Sequence, residues 1–322
     1  MRFCWRACAA MLAFGAVQDV AAQEYPSKPI KVVVPYPAGG ITDILGRIIA
    51  QGLNQSWGHP VIVENRAGAA GNIGTDHVAK APADGYTLLV NSGPTMVISA
   101  SLYAKLAYDP IRDLAPVIQA VVLPNILVVH PSVPARSVRE LIALAKSKPG
   151  KLNFASAGTG TVGHMAGELF KIMAGINMVH VPYKGAAPAV TDLLGGQVDL
   201  FFDTIVSSLP HVKAGKLRLL AVSSIKGSPL LPGVPTISEA GLSGFDASPS
   251  FGVFTPAMTP RPVISRLNEE IARILNAPAI RQRLESQGAE VAAGPPADFS
   301  QYMREQAEKW GKVIREVGVK VE

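Results

Sequence analysis

Residues 154–164 read FASAGTGTVGH, and the fold turns on what this glycine-rich stretch is. Gly158, Gly160 and Gly163 spell G-x-G-x-x-G. A strand-like run, Leu152 to Ser156, precedes it. A helical stripe follows, with Val162, Met165, Leu169, Ile172 and Met173 at helical spacing. That is the setting of a dinucleotide-binding turn. The next strand, Met178 to Pro182, ends without the acidic residue that would hold a ribose, although Lys184 could suit a 2′-phosphate. The stronger objection comes from the start of the chain, considered below.

The strand–turn–helix unit recurs outward from this stretch. IKVVV (30–34) is β-branched and continuous, PYPAGG (35–40) breaks it, and Ile41, Ile44, Leu45, Ile48 and Ile49 mark a helix face. VIVE (61–64) and YTLLV (86–90) read as further strands, the second ending in a loop at Asn91-Ser92-Gly93-Pro94. Two apolar runs broken at Pro124-Asn125 fill 116–130 and read as a crossover between domains. A helix over 137–147 and a short one over 188–194 follow, with strands at 178–182, 198–202 and 217–223. Phe245 to Thr255 has strand character and suits a return crossover, and the tail is helical. This alternation predicts a parallel α/β sheet. Length favours two domains: 23–123 plus 245–322, and 124–244.

The first residues, MRFCWRACAAMLAFGAVQDVAAQ, have the form of an export signal: Arg2 and Arg6, an apolar core from Ala7 to Val17, and a small-residue cleavage pattern that places the cut after Ala22. The core falls short of the ~20 apolar residues of a spanning helix. Export to the periplasm argues against a nicotinamide role for the glycine turn. Cys4 and Cys8, the only two cysteines, both lie in the signal, so the mature chain has no disulfide, thiolate metal site or cysteine nucleophile. Loss of Arg2, Arg6 and Asp19 takes the formal net charge from +6 to +5 over 300 remaining residues. No basic run or aromatic-interleaved stripe points to nucleic acid. Histidines 59, 77, 130, 164, 180 and 211 lack metal-ligand spacing. Neither a metal nor a cofactor is expected.

Two strand-to-helix loops are rich in glycine: Pro35 to Gly40, followed by Thr42 and Asp43, and Ser156 to Thr161. Helix N-termini offer unpaired N–H groups and partial positive charge, which suits an anion without any arginine. Hydrogen bonds to a charged group contribute about 1.5–3 kcal/mol each and helix termini roughly 0.3–1 each. Four or five such contacts, less ordering costs, are compatible with micromolar binding at about −8 kcal/mol.

YPSKPIKVVVPYPAGGITD, VENRAGAAGNIGTDHVAKAPADGYTLL, FASAGTGTVGHMAGELF, VPYKGAAPAVTDLLGGQVDLFFD and LRLLAVSS…LPGVPTISEAG, taken in order from about Tyr25, resemble the Bug-type solute receptors, the extracytoplasmic binding proteins of tripartite tricarboxylate transporters. The resemblance implies an α/β fold of the periplasmic-binding-protein type II class: two α/β domains joined by crossover strands, with the ligand cleft between them. It also implies capture of a small carboxylate (a di- or tricarboxylate, or an aromatic carboxylate), partly through backbone amides and bridging waters, for delivery to membrane subunits of such a transporter. Carried over by position, the first-domain contacts are Tyr36, Pro37, Ala38, Gly39, Gly40, Thr42, Asp43 and Ser92. The second-domain contacts are Ser156, Ala157, Gly158, Thr159, Gly160, Thr161, His164, Tyr183, Lys184, Gly185 and Asp203. Ser250-Phe251 departs from the pattern, since a tryptophan is expected beside the return crossover. A monomer without enzymatic activity is expected.

Two other functions fit the same residues. Ser156, His164 and Asp203 could form a hydrolytic triad, although the chain has no G-x-S-x-G elbow. A sensory protein of the same fold could present its ligand to a signalling partner. Asp43 could simply complement its helix dipole, and Lys184 could be a solvated loop charge.

Overall fold

Ile30–Val34 is β-branched and nearly all buried, and it forms an interior strand, β1. The computed structural model in which it lies describes residues 25–318. The export signal falls outside the described residues. β1 pairs in parallel with β2 (Val61–Asn65) on one side and β3 (Thr87–Ser92) on the other. β10 (Ser250–Pro256) comes next and runs antiparallel to β3 and to β4 (Leu114–Val122), with β11 (Glu290–Val291) at the edge. The order of this six-stranded sheet is β11-β4-β10-β3-β1-β2.

A second, five-stranded sheet is ordered β7-β6-β8-β5-β9. Its strands are β5 (Asn125–Val129), β6 (Asn153–Ser156), β7 (Val179–Pro182), β8 (Leu200–Thr204) and β9 (Arg218–Val222). β6 pairs in parallel with β7 and β8, whereas β5 runs antiparallel to β8 and β9. Both sheets are therefore mixed, a correction to the parallel sheet expected from the alternation of elements. The reason is topological. β4 runs up to the junction, the chain crosses at Leu123-Pro124, and β5 starts where its neighbours in the second sheet end. β10 enters the first sheet in the same way on the return. At the junction Leu123 N–H donates to Pro249 O (3.3 Å), and Ser223 bridges the two crossovers by donating N–H to Asn125 O (2.8 Å) and accepting from Ala247 N–H (2.9 Å).

Helices cover both sheets. α1 (Ile41–Trp57), α2 (Asn72–Ala79) and α3 (Gly93–Leu102) belong to the first lobe. α4 (Val138–Ser147), α5 (Val162–Ala174), α6 (Ala186–Leu194) and α7 (Ile205–Lys213) belong to the second. The tail, α8 (Arg261–Asn276), α9 (Pro278–Glu285) and α10 (Pro296–Val317), returns to the first. There Phe299 of α10 packs on Phe254 of β10 with ring centroids 5.0 Å apart, and Trp310 is fully buried. The loop expected at 91–94 is absent. β3 runs on through Ser92, and α3 starts at once because its proline falls in the first turn, where a missing N–H costs nothing. None of the helices among the described residues is long and apolar enough to cross a membrane.

Candidate anion-binding cleft

Strands whose carboxyl ends meet the lobe junction deliver helix N-termini to one place. The first residues of α1 (Gly40 to Thr42), α3 (Ser92, Thr95), α5 (Thr161 to Gly163), α6 (Gly185 to Ala187) and α7 (Thr204, Ser207) all line a single cleft between the lobes. It encloses about 690 Å³ including its mouth. Ile41, Thr42, Val162, Gly163, Ala186 and Ala187 have backbone N–H groups without an acceptor among the described residues. Among the described residues no lysine, arginine or histidine lines the cleft, and apart from Tyr36 its one ionisable side chain is Asp203. Ile41, Val162, Phe202, Pro249 and Phe251 supply apolar wall. Five helix termini thus give positive potential in a space that is otherwise apolar, a setting in which each N–H–anion bond is worth more than in water.

Of the residues expected from sequence, Tyr36, Pro37, Ala38, Gly40, Thr42, Ser92, Ala157, Thr161, Gly185 and Asp203 are placed together on the cleft wall. Gly39, Asp43, Ser156, Gly158, Thr159, Gly160, His164, Tyr183 and Lys184 are not, and each has another job or location. The Asp43 carboxylate turns back from the cleft. It accepts from Gly39 N–H (3.2 Å), Arg47 Nε (2.9 Å) and Asn65 Nδ2 (3.0 Å). Asn65 also donates to Tyr36 O at 3.0 Å, so the group braces the 36–40 turn. Burial works against its charge, but the bonds from Arg47, Asn65 and Gly39 outweigh it and hold the carboxyl below the ordinary range.

Ser156 and His164 sit behind the second glycine loop, not in front of it. Ser156 Oγ, fully buried, accepts from Gly158 N–H (3.2 Å) and lies 2.6 Å from His180 Nε2. His164 Nδ1 accepts from Gly160 N–H at 3.1 Å, which leaves its proton on Nε2. The two imidazoles stack at 4.0 Å. Burial, His180 and Lys171 push His164 down to about 3; burial and then Lys171 push His180 down to about 4. Both rings are neutral at physiological pH. The triad is not assembled: the serine's partner is His180, and Asp203 accepts from Thr204 N–H (2.8 Å) and Ser208 Oγ (2.6 Å) instead.

Gly158 and Gly160 meet the opposite lobe. A Cβ on Gly158 (φ +143°) would stand 3.2 Å from Ala70 Cβ, and one on Gly160 (φ +89°) 3.3 Å from Leu102. Tyr103 OH donates to Thr159 O across the same seam at 3.4 Å. Gly158, Thr159, Tyr183 and Lys184 line an adjoining chamber together with Tyr36 and Ala69 to Gly71. Tyr183 OH donates to Asp192 at 2.8 Å. Phe251, where a tryptophan is expected, borders the cleft. Asn125, Phe201 and Ser207 line it too and were missed. The break at Pro124-Asn125 was a usable signal for Asn125. The other two sit on a strand and a helix turn with no mark of their own.

Two sheets joined by paired crossovers, with helix termini turned on a cation-free cleft between them, define a two-lobed solute-binding protein. A family model described as tripartite tricarboxylate transporter family receptor matches residues 45–319. The chain belongs to that family, whose members are receptors and not enzymes. It is 39% identical over 308 residues to Protein BugT of Bordetella pertussis, covering 95% of this chain and 94% of that one. Among solved structures it is similar to R. palustris Rpa4515 with adipate (38% identity, 92% and 99% of the two chains, TM-score 0.88). It is also similar to MatC from Rhodopseudomonas palustris with bound malate (33% identity, 90% and 100%, TM-score 0.86).

Proposed function

We propose that the protein is an exported, monomeric receptor, cut after about Ala22, that captures a small carboxylate between lobes formed by 23–123 plus 245–322 and by 124–244. It then hands the acid to the membrane subunits of a tripartite tricarboxylate transporter. The convergence of five helix N-termini on a cleft that has no cationic side chain among the described residues carries the reading. A carboxylate bound there finds donors among the free N–H groups at Ile41, Thr42, Val162, Gly163, Ala186 and Ala187. Only the closed arrangement offers both lobes' donors at once, so the ligand favours closure by its differential affinity. Adipate and malate, the ligands of two similar structures, support a small carboxylate of that size.

A thermal-shift screen over small carboxylates tests this. A ligand at about 100 times its Kd adds roughly 2.7 kcal/mol of stability, a rise easily read. If the best hit carries no anionic group, the reading fails.

A further inference from the structure

Asp203 is the one acidic group on the cleft wall and is 3% exposed. Its two oxygens accept one bond each, from Thr204 N–H (2.8 Å) and Ser208 Oγ (2.6 Å), about half of what a carboxylate can take. No cationic side chain among the described residues lies within ion-pair distance of it. The charged groups of the elements around it are engaged elsewhere. On α1, Arg47 holds Asp43; on α5, Lys171 holds Glu168; on α6, Asp192 takes the Tyr183 hydroxyl; on β9, Arg218 donates to the carbonyls of Val133 and Ala135. His211 and Lys213 lie in the last turn of α7, at its far end. β5 and β10 carry no titratable residue. An arriving anion would therefore meet an acid that has no cationic side chain beside it, and the repulsion between two such carboxylates favours a proton on one of them.

We infer that Asp203 enters the complex as a neutral carboxylic acid whose O–H donates to a carboxylate of the ligand, so that the cleft takes up a proton along with the acid it captures. This rests on the carboxylate reading above. It makes Asp203 a specificity residue: the site favours an anion over a ligand that presents an ammonium. Burial already pushes Asp203 up to about 7, with the bonds from Ser208 and Thr204 pulling the other way. Binding then needs a proton from solution above that pH and none well below it. His164 and His180, pushed down to about 3 and about 4, do not titrate in the same range.

The test is calorimetric titration of the mature chain with adipate from about pH 6.5 to about 8.5 in two buffers of unlike ionisation enthalpy. Over this range the ligand stays a dianion. Affinity should weaken roughly tenfold per pH unit above 7, with a buffer-dependent heat that reports uptake of about one proton. Asp203→Asn, which keeps a donor and an acceptor, should bind adipate with an affinity that no longer depends on pH. A flat wild-type profile without buffer-dependent heat overturns the proposal, as does an Asn variant that keeps the wild-type slope. Tighter binding of an amino acid as pH rises overturns it too, since that marks an ionised Asp203 paired with an ammonium. The wild-type heats alone decide the matter if the variant does not fold. Absence of binding by any carboxylate is a different failure, and it removes the receptor reading itself.

Discussion

A methyl group at position 158 would stand 3.2 Å from Ala70 on the facing lobe, at a φ of +143° that only glycine adopts freely. Gly158→Ala should therefore strain the loop by about 1–3 kcal/mol and hold the lobes apart. Ligand affinity is expected to fall by roughly tenfold or more, while the second lobe keeps its secondary structure. Calorimetry beside far-UV circular dichroism checks this, and unchanged affinity would show that the seam does not control binding. Behind the same loop lies an acid-sensitive pair. His164 and His180 have folded values of about 3 and about 4, depressed below the ordinary histidine value of 6.5. Between these values the unfolded chain binds more protons than the folded one. Stability is then fully present above pH 6.5 and declines as pH falls toward 4. Each ring contributes at most about 1.4 kcal/mol per pH unit. His164→Gln should flatten part of that decline in melting experiments at successive pH values. The glycines of 158–163 could be read from sequence, but their partners could not. A spacing of glycines shows that backbone must come close to something, and both a ligand and a neighbouring lobe meet that description.

Helix starts do the work one scale up. Thr161 caps α5 by accepting from His164 N–H (3.3 Å) and also ties down Gly158 O (2.8 Å) while lining the cleft. Thr161→Ala should cost about 1 kcal/mol of stability and weaken ligand binding, and Thr161→Ser should restore both, as read by denaturant melts and titration. α1 and α5 were legible because each follows a glycine-rich break and carries an apolar stripe, and α6 because Pro188 falls near its first turn and Gly195-Gly196 at its end. α3 was not: nearly all of Gly93–Leu102 is buried, so no polar face marks a period. α7 was hidden by Pro210 inside it and by a start that follows β8 without a break. These two omissions explain why Thr95 and Ser207 were not expected in the cleft.

At the scale of the molecule, the absence of lysine and arginine from the cleft wall among the described residues has a measurable result. Donors that are peptide dipoles buried between lobes are screened less than exposed charges. Raising salt from about 0.05 M to 0.5 M should change adipate affinity by less than about threefold; a steep loss would mean that surface cations supply the attraction. The two crossovers were visible in the sequence as apolar runs at 116–130 and 245–255, and β4–β5 and β10 occupy those regions. The direction of their pairing was not visible, because strand polarity depends on which end of a lobe the chain enters, and residue pattern does not record that.

The central place of β10 governs the order in which the molecule can be made. It lies between β3 and β4, so a chain that has emerged only to residue 249 has both of those strands unpaired at facing edges. The second lobe, whose strands end at Val222, can close well before the first. A chain stopped at 249 should therefore show a protease-resistant fragment spanning roughly 125–245 and a digestible N-terminal segment, whereas the full chain resists throughout. Such a delay leaves β3 and β4 without their shared neighbour until the last seventy-odd residues have been made.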